Sequence, residues 1–84
     1  MTRYTVVWLQ DAISELGEIW LASNEKNAIT ASSAEIDREL AEDAQEKGKP
    51  LSEGLRTYDA PPLRGVFSVN ESDRKVEVVR IRLL

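Results

Sequence analysis

The hydrophobic repeat of this chain changes at Pro50, and that change constrains the fold more than any other feature. Up to Lys47 the apolar residues recur at helical spacing; from Leu55 onward they alternate. A repeat near 3.6 asks for one buried stripe per helix, and a repeat of 2 asks for one buried sheet face. The two halves must therefore cover each other. With 84 residues there is material for one core and one domain, residues 1–84.

In the first half, Tyr4 to Trp8 is β-branched and aromatic and reads as a strand. Asp11 is expected to cap a helix whose buried stripe is Ala12, Ile13, Leu16, Ile19, Trp20 and Ser23, with Glu15 and Glu18 off that stripe. Gly17 weakens this helix by about 1 kcal/mol relative to alanine, so packing must hold it. Asn24 is expected to cap a second helix running to about Lys47, with Ile29, Ile36 and Leu40 inward. Small residues Ala28, Ser32 and Ser33 would let it approach the first helix closely, as a helical hairpin. Gly48 reads as its C-cap, and Pro50 prevents continuation. Trp8 and Trp20 are expected to anchor the core.

In the second half, Leu55 to Tyr58 reads as a short strand, broken by Pro61-Pro62 from the next. Leu63 to Val69 alternates, with Leu63, Gly65, Phe67 and Val69 on one face. Asn70 to Asp73 is a turn cluster. Lys75 to Leu83 is the last strand, with Glu77, Val79, Ile81 and Leu83 opposing Val76, Val78, Arg80 and Arg82. One strand, two helices and about three strands make an α+β fold, with the helices on one face of an antiparallel sheet.

The chain has no cysteine and no histidine. That excludes disulfides, thiolate metal sites, thiol nucleophiles and every histidine-based triad, and no cofactor is expected. The apolar run ending at Leu9 is too short for a secretory core, and no stretch approaches a membrane span, so the expected compartment is the cytoplasm. Asn70-Glu71-Ser72 fits the glycosylation pattern by accident.

The formal net charge of −4 argues against a chain-wide grip on nucleic acid. It is unevenly divided, however: residues 1–50 carry five basic and ten acidic side chains, residues 51–84 six and five. Glu35, Glu39, Glu42 and Glu46 would form one acidic ridge on the second helix. A metal site needs carboxylates converging from more than one element, so this ridge reads as a solvated face and no metal is expected. Arg64, Arg80 and Arg82 share the alternating face of the last hairpin, with Arg56 on the preceding segment. Arginines meeting there can grip a phosphate or offset charge on a pentacoordinate phosphorus. The alternative is that they pair with Glu53, Asp59 or Glu77 on an exposed face. Tyr58 is the remaining candidate for proton transfer, and it would need a strong pKa shift. Leu83-Leu84 leaves apolar surface for a partner.

These residues resemble a known family. The pattern Tyr4-x-Val-x-Trp8, Ala12-x-x-x-Leu16-x-x-Ile19-Trp20, a polar second helix ending at Gly48, Glu53-Gly54-Leu55-Arg56, Pro61-Pro62-Leu63-Arg64-x-x-Phe67-x-Val69 and Asp73-Arg74-x-Val76-x-Val78 is similar to the RelE/ParE superfamily. These are toxins of bacterial type II toxin–antitoxin modules. The resemblance spans nearly the whole chain and implies a βααβββ fold, a helical hairpin on a twisted antiparallel sheet. RelE-like members cut messenger RNA on the ribosome; ParE-like members poison DNA gyrase.

By that resemblance, Arg64 matches the arginine that RelE-like nucleases place at the scissile phosphate. Arg56 falls near a segment that supplies lysines in those nucleases, whereas Thr57-Tyr58-Asp59-Ala60 here is short and acidic. Those nucleases continue past the last strand with basic, aromatic or histidine residues; this sequence stops at Leu84, leaving Arg80 and Arg82 as substitutes. The expectation is a ribosome-dependent mRNA endoribonuclease with Arg64, Arg80 and Tyr58 catalytic and Arg56 and Arg82 binding phosphate. The alternatives are a gyrase inhibitor, or an interaction module that only pairs with an antitoxin. In each case a cognate antitoxin is expected to cover Leu83 and Leu84 beside the helical hairpin, steered by Glu35, Glu39 and Glu42.

Overall fold

The computed structural model describes residues 3–84. The elements are β1 (Thr5–Trp8), α1 (Gln10–Ala22), α2 (Lys26–Leu40), a single turn α3 (Ala44–Lys47), β2 (Lys49–Pro50), β3 (Leu55–Ala60), β4 (Leu63–Asn70) and β5 (Lys75–Leu83). One five-stranded sheet runs in the order β1-β5-β4-β3-β2. It is antiparallel except at one edge, where β1 lies parallel to β5 with Thr5 opposite Lys75 and Trp8 opposite Val78. The two long helices pack on one face, giving the expected α+β architecture with one edge strand, β2, more than the periodicity revealed. Two residues ending in proline are too short to show alternation, and an edge position tolerates the missing N–H.

The core lies between the helices and one sheet face. Ile29, Ile36, Leu40 and Ala12 meet Leu63, Phe67, Val76, Val78 and Ile81, all 2% exposed or less. Each large side chain among them contributes about 1.5–3 kcal/mol by leaving water. Val76, Val78 and Ile81 do not belong on one side of an unbroken strand. The ladder explains it: Val66 faces Arg80 while Phe67 faces Val78, so Val79 is an extra residue on β5. This bulge corrects the expected alternation, because it advances the strand by one residue and returns Ile81 to the core side.

Local structure departs from the sequence expectation at the helix ends. Helix α1 begins at Gln10, so Asp11 lies in its first turn and does not cap it. Ile13 and Trp20, expected inward, are 49% and 39% exposed. The Trp20 indole donates to Thr30 Oγ1 at 3.2 Å and carries the Lys26 ammonium 5.0 Å above its ring, tying α1 to α2 at the solvent side. Helix α2 begins at Lys26 after Glu25, without an Asn24 cap. Ser32 is buried and donates to the Pro61 carbonyl at 2.8 Å, which ties α2 to the β3–β4 turn.

The second helix also stops short, at Leu40. Its last turn is met by the N-terminal segment: the Tyr4 N–H donates to the Ala41 carbonyl at 2.8 Å. Asp43 then takes φ 50°, a left-handed conformation that aspartate tolerates better than most residues, and α3 restarts beyond it. The acidic ridge from Glu35 to Glu46 is therefore not a feature of one helix. Gly48 is extended (φ −93°, ψ 162°), so it is not a left-handed cap. A Cβ there would overlap the Phe67 ring, which is what requires glycine. No helix among the described residues is long and apolar enough to cross a membrane.

Candidate functional site

The sheet face away from the helices collects the arginines. Arg64 on β4 lies directly opposite Arg82 on β5, with Asp59 of β3 on its other side and Arg80 opposite the neighbouring Val66. Like charges facing each other across a ladder are unfavourable, and each is held by a carboxylate. Arg64 donates to Asp59 through Nε at 2.6 Å and Nη2 at 3.1 Å, a two-pronged pair. Arg80 and Arg82 both donate through Nη1 to one oxygen of Glu15 on α1, at 2.8 and 2.6 Å. The second Glu15 oxygen accepts the Ile81 N–H at 3.0 Å.

Glu15 can reach these groups because β1 ends at Trp8, leaving the last part of β5 paired with β4 on one side and without a strand on the other. Helix α1 follows directly and lies along that edge, where Glu15 takes the outward N–H that a strand would have paired. Burial pushes its carboxyl upward, but the Ile81 N–H and the Arg80 and Arg82 guanidinium groups more than offset this and hold it at about 2. Asp59 is held below its ordinary range by its bonds to Arg64 against the opposing effect of burial, and Arg64 and Arg80 are raised by their carboxylates. Both carboxylates stay ionised at neutral pH and are weak proton acceptors.

Tyr58 and Arg56 fall on the helix side of the sheet. Tyr58 pairs with Gly65, whose neighbours are Ile36 and Ile81, and its hydroxyl donates to Glu35 of α2 at 3.5 Å. Burial, then Glu39 and Glu35, push the phenol upward. Arg56 pairs with Phe67, donates through Nη2 to the Gly48 carbonyl at 2.7 Å, and keeps a buried Nε without a partner. The structure thus brings Arg64, Arg80 and Arg82 together and leaves Tyr58 and Arg56 across the sheet from them.

The residues expected at a partner surface are separated too. Glu39 pairs with Lys47 at 2.8 Å and with Arg38 at 3.7 Å, and Glu42, beyond the helix, meets Arg3 at 3.5 Å. Leu83 and Leu84 are 60% and 56% exposed. Leu83 borders a shallow apolar groove formed with Ile19, Ala22, Ala28, Ile29 and Pro62, beside the turn that connects the two long helices. Among the described residues no cluster of acidic side chains is arranged to hold a metal ion.

Glu15 is the residue that sequence reasoning passed over. Its place beside the stripe of Ala12, Leu16 and Ile19 was the available signal, since a flanking acid on a buried helix face stands next to whatever that helix covers.

A helical hairpin on one side of a mostly antiparallel sheet, with an arginine-bearing opposite side, defines a class of small α+β domains. No protein-family profile and no curated protein sequence matches the chain. Solved structures do. The RelBE2 toxin–antitoxin complex of Mycobacterium tuberculosis is similar over 100% of this chain and 94% of its own, at 18% identity and a TM-score of 0.82. The chromosomal ParDE system of P. aeruginosa is similar over 98% and 97%, at 18% identity and 0.77. The YoeB/ParE toxin of Agrobacterium tumefaciens is similar over 100% and 99%, at 19% identity and 0.71. The fold of this chain is the RelE/ParE toxin fold.

Proposed function

We propose that this chain is the toxin of a type II toxin–antitoxin module, acts on translation as a ribosome-dependent mRNA endoribonuclease, and is neutralised by a cognate antitoxin. The observation that carries this reading is the placement of Arg64, Arg80 and Arg82 on one face of the sheet, the face opposite the core. Cleavage of RNA by the neighbouring 2′-hydroxyl builds negative charge on a phosphorane, and three guanidinium groups on one surface are suited to stabilise it. Proton transfer falls to the ribosome, because Tyr58 lies on the other face of the sheet with its phenol pushed upward. Expression of the chain followed by primer extension on translated messages is expected to show cuts at codon boundaries, lost in Arg64→Ala. Intact messages under toxic expression would overturn the nuclease reading.

One observation favours a gyrase-directed toxin instead. Asp59 and Glu15, the two carboxylates bonded to these arginines, are both held low and engaged in ion pairs, so neither is a ready proton acceptor. A protein-blocking activity needs none. Inhibited DNA supercoiling with uncut messages is the outcome that selects this alternative. Unaffected growth would select a third, an interaction module that pairs only with an antitoxin.

The antitoxin is assigned to the groove at Leu83, Ile19 and Ala22. A segment with apolar and basic residues suits it, because Glu18 and Glu25 stand at its border. Leu83→Glu is expected to weaken the complex by at least tenfold in a titration; an unchanged affinity removes the assignment.

A further inference from the structure

The two carboxylates bonded to the arginines are not equivalent. Asp59 has a side chain 40% exposed, and the bonds its carboxylate makes are both to the guanidinium of Arg64, itself 46% exposed. Glu15 is only 19% exposed and is held from three directions, by Arg80, Arg82 and the Ile81 N–H. A phosphate arriving from solvent presents the same two-oxygen match to a guanidinium that Asp59 now supplies. Asp59 can turn to water when displaced. Displacing Glu15 would strand the partly buried Ile81 N–H without an acceptor, which is the expensive kind of lost hydrogen bond.

We propose that Asp59 is a displaceable internal stand-in for a phosphodiester group, and that Glu15 is a permanent positioning residue that aims Arg80 and Arg82 at the same ligand. This rests on the reading of the arginine face as a phosphodiester site. Ligand entry then exchanges the Asp59–Arg64 pair for a phosphate–Arg64 pair, while the Glu15 cluster stays intact. The net charge of the face is kept low until a ligand competes, which restrains binding to nucleic acid in general.

The test uses the full chain and a labelled single-stranded RNA oligonucleotide, with affinity read by fluorescence anisotropy over a range of salt. Asp59→Asn and Glu15→Gln each remove one negative charge, so they control for charge alone. Asp59→Asn is expected to tighten binding about two- to fivefold, and to steepen the slope of log K against log salt by about 0.7, one added cation on a single strand. Glu15→Gln is expected to bind no tighter than the parent. Glu15→Asp, which keeps the charge but shortens the reach, is expected to weaken binding.

Tightening by Glu15→Gln equal to that of Asp59→Asn would overturn the division of roles. So would an Asp59→Asn protein with unchanged affinity and slope, provided Arg64→Ala abolishes binding. Equal binding by the parent and Arg64→Ala would instead bring down the phosphodiester reading itself, and this inference with it. Should the Glu15 variants fail to fold, judged by circular dichroism, the exposed Asp59→Asn and Arg64→Ala pair still decides the displaceable role.

Discussion

Arg64 and Arg82 stand directly opposite each other across the β4–β5 ladder, yet they are drawn to opposite sides, Arg64 by Asp59 and Arg82 by Glu15. A sheet that places two cations face to face needs counter-ions to be stable, and here they come from a neighbouring strand and from the first helix. The same arrangement stocks one surface with guanidinium groups and tethers the end of β5 to α1.

Removing that tether should destabilise the protein. Glu15→Ala leaves the Ile81 N–H without an acceptor and frees two arginines that are already half exposed. The expected cost is about 1–3 kcal/mol, dominated by the stranded backbone group, read as a lower midpoint in urea unfolding. An unchanged midpoint would show that water replaces the carboxylate at no loss.

Acid should act through the same group. The Glu15 carboxyl lies at about 2 in the folded chain against an ordinary value of 4.5. A depressed folded pKa gives stability that is fully present above the ordinary value and is lost as pH falls toward the folded one. Glu39, Asp59 and Glu71 are lowered as well, by Lys47, Arg64 and Tyr4 respectively, and add in the same direction. Unfolding midpoints should therefore fall between about pH 4.5 and about 2, with Glu15 supplying roughly 2–3 kcal/mol of the change. The Glu15→Gln curve should be visibly flatter over that window.

Two glycines should respond oppositely to alanine. At Gly48 a Cβ collides with the Phe67 ring and crowds Arg56, and Phe67 is fully buried, so Gly48→Ala should destabilise by about 1–3 kcal/mol. At Gly17, inside α1, nothing lies within 4 Å of the new atom, so Gly17→Ala should stabilise by about 0.5–1 kcal/mol. Thermal midpoints of the two variants, moving apart from the parent, check both.

Deleting Val79 should be tolerated, although it lies within a strand. Val79 is the extra residue, so its removal leaves Phe67 opposite Val78, Val66 opposite Arg80 and Gly65 opposite Ile81, and Ile81 stays on the core side of a regular strand. The deletion variant and Val79→Thr, at a half-buried position, are both expected to keep cooperative unfolding in urea. Loss of cooperative unfolding on deletion would show that the bulge itself, and not only the phase of β5, is required.

How far the sequence could be read depends on the range of the interaction. Helical spacing in Ala12 to Leu40 and alternation in Leu63 to Leu83 are properties of neighbouring residues, and they sufficed for the order of the main elements, though not for α3 and β2, for the helical hairpin and for the shared face of Arg64 and Arg82. Burial was less legible: Trp20 carries the pattern of a core residue but has its indole and ring engaged by Thr30 and Lys26 at the surface. The phase of β5 was invisible, because a bulge is defined by the partner strand and leaves no mark in Val76-Glu77-Val78-Val79-Arg80.

The sequence by itself therefore determined a two-layer α+β domain without cysteine or histidine chemistry, since period and composition are local quantities. Only the tertiary structure decided what the arginines are tied to. Glu15 and Arg80 are 65 positions apart, and nothing near either residue specifies the other. They meet because α1 leaves β1 along the unpaired edge of β5, where a backbone N–H and two cations need one carboxylate. Tyr58 was separated from Arg64 by the same kind of fact: adjacent positions in register, pointing to opposite faces of one sheet.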